Sequence, residues 1–144
     1  MIKTVRDILR LKGGQVFSVN ADASVFAALE MMAKENVGAL LVMENEKLIG
    51  VISERDYARK VILKGRSSLQ LSVREIMTDM VCFARPEQTV EECMAVVTES
   101  RLRHLPVFDN DELVGVVSIG DLVKASIAEK EFIIGQLENY IKGG

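Results

Sequence analysis

A serine and an aspartate three residues apart occur at two matching places, in Gly50-Val51-Ile52-Ser53-Glu54-Arg55-Asp56 and in Gly115-Val116-Val117-Ser118-Ile119-Gly120-Asp121. Each pair stands where an apolar, β-branched run gives way to a more polar one. A helix starts with backbone N–H groups that have no partner in its own ladder. A serine just before it accepts from one, and an acid three residues on answers back. The same helix start is a ready site for anions and hydroxyls. A carboxylate there can take two hydrogen bonds from a ribose diol, while the serine and nearby amides face a phosphate. The motif therefore admits two chemistries, helix capping and sugar-phosphate recognition. Capping does not explain the glycine three residues before each serine. That glycine is expected to let a flat ring approach the strand backbone.

A basic run adjoins the first motif. Arg55, Arg59, Lys60, Lys64 and Arg66 fall within twelve residues, with Asp56 the only acid among them. Arg55 and Arg59 are four apart, on one helical face. They are either a solvated surface or groups that reach phosphates, including a pyrophosphate shared across a dimer. The whole chain carries 18 Lys+Arg against 21 Asp+Glu, a formal charge of −3. A local patch in an acidic chain fits a discrete anion site better than a nucleic-acid face.

Other chemistries lack their residues. Gly13-Gly14 belongs to no phosphate-loop pattern, no Gly-x-Gly-x-x-Gly turn is present, and no Gly-x-Ser-x-Gly elbow surrounds a serine. The single histidine, His104, cannot complete a zinc site with Cys82 and Cys93. The two cysteines read as buried thiols in a reducing cytoplasm. No apolar run approaches the ~20 residues of a membrane span, and the N-terminus is not a signal peptide. The expectation is a cytoplasmic, non-catalytic protein without a metal or an obligatory cofactor.

The elements that position the motifs form a repeat. A shift of 65 residues lays Val25 on Val90, Leu40 on Leu105, Asn45 on Asn110, Gly50 on Gly115, Ser53 on Ser118 and Asp56 on Asp121. Upstream, Val5-Arg6-Asp7-Ile8 matches Val73-Arg74-Glu75-Ile76 at a shift of 68, so the first copy carries three extra residues near Lys12-Gly13-Gly14. Val25, Ala28, Leu29 and Met32 mark one buried helix face, and Val90, Cys93, Met94 and Val97 repeat it. Thr89 and Glu92 form a capping box before the second of these helices. Two apolar runs joined by a four-residue polar link then predict a hairpin in each copy, before Ser53 and before Ser118. The unit reads β-α-β-β-α. One copy of about sixty residues buries too little surface to be comfortable alone, so two copies packed sheet to sheet are expected to share a core. The predicted organisation is a first repeat over 1–66, a linker over 67–72, a second repeat over 73–128 and a helical extension over 129–144. In the last segment Val123, Ile127, Ile134, Leu137 and Ile141 lie near one stripe.

Two tandem units, each with Gly-x-x-Ser-x-x-Asp after a hairpin, resemble the paired CBS-domain (Bateman) module over nearly the whole chain. Val73-Arg74-Glu75-Ile76-Met77-Thr78 is similar to the family's opening segment, and Arg103-His104-Leu105-Pro106-Val107 to its second-strand segment. The run Ser53 to Val61, with Phe132 to Ile141, resembles small stand-alone bacterial CBS-pair proteins. The resemblance implies an α+β fold of two pseudo-symmetric repeats plus a C-terminal amphipathic helix. It implies clefts between the repeats that bind adenine nucleotides, with AMP, ADP, ATP and NAD(H) as candidate ligands. It also implies a regulatory, energy-sensing role for an unknown partner protein, and a homodimer. Carried over by position, Asp56 and Asp121 hold ribose hydroxyls, with Ser53 and Ser118 beside them. Arg55, Arg59, Arg103 and His104 meet phosphate. Val37, Gly38, Ala39, Ile52 and Val117 line the adenine slot. The first copy has Gly38 and Ala39 where the second has Arg103 and His104, so the two clefts are expected to differ. The alternative is a structural or protein-interaction module whose Ser-x-x-Asp pairs only cap helices.

Overall fold

The structure, a computed structural model, describes residues 2–79 and 82–143. The chain divides into two compact units, Val16–Val81 and Met1–Gln15 together with Cys82–Gly144.

In the unit Val16–Val81, β1 (Ser18–Asn20), α2 (Val25–Glu35), β2 (Ala39–Glu44), β3 (Lys47–Ser53), α3 (Glu54–Tyr57), α4 (Val73–Ile76) and β4 (Thr78–Asp79) follow in order. The sheet runs β1-β2-β3-β4, with β1 parallel to β2 and the other pairs antiparallel. Side chains alternate across a strand, so Leu40 and Val42 share one face of β2. They join Ile52 of β3 and Val25, Ala28 and Met32 of α2 in one buried cluster, closed by Val61, Val73 and Ile76.

The other unit contains α1 (Val5–Lys12), which precedes β1 in the chain, then α5 (Val90–Ser100), β5 (His104–Asp109), β6 (Glu112–Ser118) and α6 (Ile119–Gly143). Ala84 bridges Val107 in parallel, where β1 pairs with β2 in the first copy. The correspondence is residue for residue. The β5–β6 hairpin has the register of β2–β3 shifted by 65, including an irregularity at Val42/Met43 and at Val107/Phe108. The four-residue links of the sequence reading shorten to two-residue turns, because the flanking residues still pair. Asn45 and Glu46 have φ of 50° and 66°, and Asn110 and Asp111 have 49° and 68°. Positive φ at both central residues matches the right-handed twist of the strands.

The opening segment of each copy is bound by the other copy's residues. The amides of Val5 and Arg6 donate to the carbonyls of Gln88 and Pro86, each at 2.9 Å. In the same way Val73 and Arg74 donate to Ala23 at 2.8 Å and Ala21 at 2.9 Å. Sequence repeat and compact unit therefore divide the chain differently, since α1 completes the unit of the second copy and α4 that of the first.

The copies diverge after the hairpins. α3 passes after one turn into a π-helical turn over Ala58–Ile62, where the Leu63 amide reaches the carbonyl of Ala58. Its counterpart α6 is one unbroken helix, so no boundary separates residues 119–128 from the extension. Leu122 and Ala125 of α6 are buried, whereas Ile127, Phe132, Ile134, Leu137 and Ile141 are exposed.

Candidate functional site

Each Ser-x-x-Asp pair stands at a corner where a strand ends and a helix begins. Ser53, the last residue of β3, has extended backbone (φ −128°, ψ 164°). Its hydroxyl oxygen accepts from the Asp56 amide at 3.1 Å, and its own amide donates to Asp56 Oδ2 at 3.0 Å. In the second copy the Asp121 amide donates to Ser118 Oγ at 3.1 Å, and the Ser118 amide to Asp121 Oδ2 at 2.9 Å. Capping is realised at both corners. The strand register then sets the neighbours. Ala39 lies opposite Ser53, and His104 opposite Ser118. The first helical amides are taken by the facing strand, Glu54 by the Gly38 carbonyl at 3.0 Å and Ile119 by that of Arg103 at 2.9 Å.

Each capping carboxylate also meets a lysine, and the two lysines arrive by unrelated routes. At the first corner Lys60 Nζ lies 3.2 Å from Asp56 Oδ1, one turn further along the chain, and donates to the Ile76 carbonyl at 2.9 Å. The Thr78 hydroxyl donates to the same Oδ1 at 3.1 Å. Asp56 is thus engaged on both oxygens and is buried. At the second corner the lysine is Lys12, at the end of α1. Its Nζ donates to Asp121 Oδ2 at 2.7 Å and to the Val116 carbonyl at 2.9 Å. The lysine and the Ser118 amide both meet Oδ2. Burial raises the Asp121 carboxyl, but the Lys12 ammonium and the Ser118 groups outweigh it and hold the carboxyl below its ordinary range.

The remaining predicted residues divide by burial. Arg55, Arg59 and Arg103 are exposed, His104 is half-buried, and the three positions 37–39 run from half-buried to exposed. Ile52 and Val117, expected beside an adenine ring, are fully buried. Their side chains belong to the core, so any contact from these positions is with backbone. The reading of the motif glycines is also corrected. A side chain on Gly50 would stand 2.6 Å from the Thr78 carbonyl oxygen, and one on Gly115 would stand 2.7 Å from Leu9 Cδ2. Glycine there admits β4 and α1, not a ligand ring. Lys12, Thr78 and the pairing of Lys60 were missed. The i, i+4 spacing of Asp56 and Lys60 was a usable signal. Nothing in the sequence relates Lys12 to Asp121, which only the fold brings together.

The other candidate chemistry is thin. Cys93 is buried, and burial, with Glu92 adding to it, pushes its thiol above the ordinary range, away from a nucleophile. Cys82 is only half-buried, less enclosed than expected. Among the described residues no group of His, Cys, Asp or Glu could hold a metal ion, and no helix is long and apolar enough to cross a membrane.

Comparison with known proteins agrees with the duplicated corner. The CBS domain profile matches residues 5–63 and again 73–128. The chain belongs to the CBS-domain family, as a tandem pair. It is 39% identical to the mitochondrial CBS domain-containing protein CBSX3 of Arabidopsis thaliana, over 98% of this chain and 73% of that one. Among solved structures it is similar to a CBS-domain protein of Burkholderia ambifaria MC40-6, with 48% identity, a TM-score of 0.82, and 87% and 94% of the two chains covered. It is similar also to the CBS-domain protein ATU1752 of Agrobacterium tumefaciens, with 36% identity, a TM-score of 0.81, and 88% and 95% covered.

Proposed function

We propose that this chain is a non-catalytic sensor of adenine nucleotides, with AMP, ADP, ATP and NAD(H) as the ligand class. The observation that carries the reading is the duplicated corner: a carboxylate, a serine and a strand end recur at equivalent places in a CBS pair. In this reading Asp56 and Asp121 hold the ribose diol, beside Ser53 and Ser118. Arg55, Arg59, Arg103 and His104 serve the phosphates, and residues 37–39 with the backbone at Ile52 and Val117 flank the base. Ligand acts by binding one of two conformations more tightly, and a regulated partner protein reads the result. Two free thiols fit the reducing cytoplasm as its compartment. A homodimer covers the exposed apolar residues of α6, and light scattering showing only a monomer at micromolar concentration would remove that part.

Titration calorimetry with AMP, ATP and NADH on the wild type, Asp56→Ala and Asp121→Ala tests the reading. The expected result is heat with at least one ligand, weakened in the variants. No heat from any of the three on ligand-free wild type overturns it. A second reading, a structural module, is favoured by the completeness of the caps. It expects both variants to lose stability, with no melting shift on adding nucleotide.

A further inference from the structure

The Lys12–Asp121 pair bears on which ribose ligands the second corner can accept. Asp121 cannot grip a sugar diol with both oxygens while an ammonium sits 2.7 Å from Oδ2. Lys12 reaches it from α1, which is remote in sequence, and it also donates to the Val116 carbonyl. The ammonium is part-exposed and ends a flexible stem, so it can swing away. Leaving the carboxylate costs it a charged partner. A neutral nucleoside offers nothing in return, whereas a nucleotide brings a phosphate that can take the ammonium over.

We infer, on the nucleotide-binding reading above, that Lys12 is a specificity-determining residue of the Asp121 corner, making it select phosphorylated over unphosphorylated ribose ligands by transferring its ammonium from Asp121 to the phosphate. The transfer moves no covalent bond. The first corner is built differently. Lys60 also holds a carbonyl, but it comes from the same helical stretch as Asp56, and the Asp56 Oδ1 that it meets is shared with the Thr78 hydroxyl.

The test is titration calorimetry of AMP and of adenosine into the full chain, as wild type, Lys12→Met and Lys12→Arg. In the wild type AMP binds more tightly than adenosine. In Lys12→Met, AMP is expected to lose about tenfold in affinity, the scale of one charged hydrogen bond. Adenosine is expected to hold or gain, because Asp121 is freed. Lys12→Arg keeps most of the preference. If Lys12→Met binds AMP but keeps the wild-type AMP-to-adenosine ratio within twofold, the inference falls while the sensor reading stands. If adenosine weakens as much as AMP, Lys12 only supports the corner and the inference falls likewise. If the wild type binds neither ligand nor any other adenine nucleotide, the sensor reading itself has failed. Should Lys12→Met not fold, a Lys12→Arg chain that loses the preference for AMP also overturns the inference.

Discussion

The two strand-to-helix corners share a backbone and differ in how their carboxylates are held. Asp56 is enclosed by groups from its own unit's β4 and helix, with Ser53, Thr78 and Lys60 all bonded to it. Asp121 is more open, with the Ser118 amide and one lysine from α1 on a single oxygen. The backbone of a duplicated unit is set by local rules that both copies obey, namely caps, turn residues and strand register. The electrostatic surroundings are set by whichever segment packs beside it, and those segments diverged. The first corner engages its carboxylate on both oxygens, and the second leaves it more exposed.

The glycines under the two corners give the largest contrast. Gly50→Ala drives a methyl group against the Thr78 carbonyl oxygen and Met77, whereas Gly115→Ala meets only the mobile end of Leu9. Backbone cannot yield as a leucine rotamer can. Urea unfolding is expected to show a loss of about 3 kcal/mol for Gly50→Ala and about 1 kcal/mol for Gly115→Ala. Equal losses would mean that Leu9 is as tightly held as β4.

The aspartates come next. Asp56→Ala removes a cap and takes the carboxylate from a part-exposed lysine and a half-buried threonine hydroxyl, at an expected cost of about 2 kcal/mol. Asp121→Ala removes little more than a cap, about 1 kcal/mol. The same unfolding series ranks them, and the reverse order would break the distinction between the corners.

Acid gives the smallest effect. The Asp121 carboxyl is held below its ordinary range, so its contribution is present above the unfolded value near ~4 and is lost as pH falls through the lowered folded value. Solvent screens this part-exposed pair, so the expected size is only about 0.5 kcal/mol. The stability gap between wild type and Lys12→Met should be present at pH 7 and vanish in strong acid. A gap that persists there would assign it to packing of the lysine stem and not to its charge.

Much of this architecture was legible in advance, and the reasons can be named. The apolar spacing of Val25, Ala28 and Met32 marks a helix face because a helix turns every 3.6 residues, and that face is buried. Thr89 and Glu92 announce a cap because both partners lie within one turn, and the cap is present. The Ser-x-x-Asp pairs were visible for the same reason. Gly50 and Gly115 were visible too, but their meaning was misread, since what fills the space above a glycine is decided by distant segments. The basic run was left open between a solvated face and a phosphate-facing one, with Arg55 and Arg59 as its phosphate candidates; within it Lys60 turns inward to Asp56 and the Ile76 carbonyl.

From its sequence alone this protein's repeat, element order, caps and hairpins follow, because each depends on interactions spanning a few residues, and duplication states each rule twice. Tertiary structure alone decided that α1 joins the unit of the second copy, that Leu9 and β4 occupy the glycine spaces, and that Lys12 meets Asp121. Those pairings join residues up to 109 positions apart. No local periodicity encodes them, because they arise only when apolar faces that are separate along the chain bury one another.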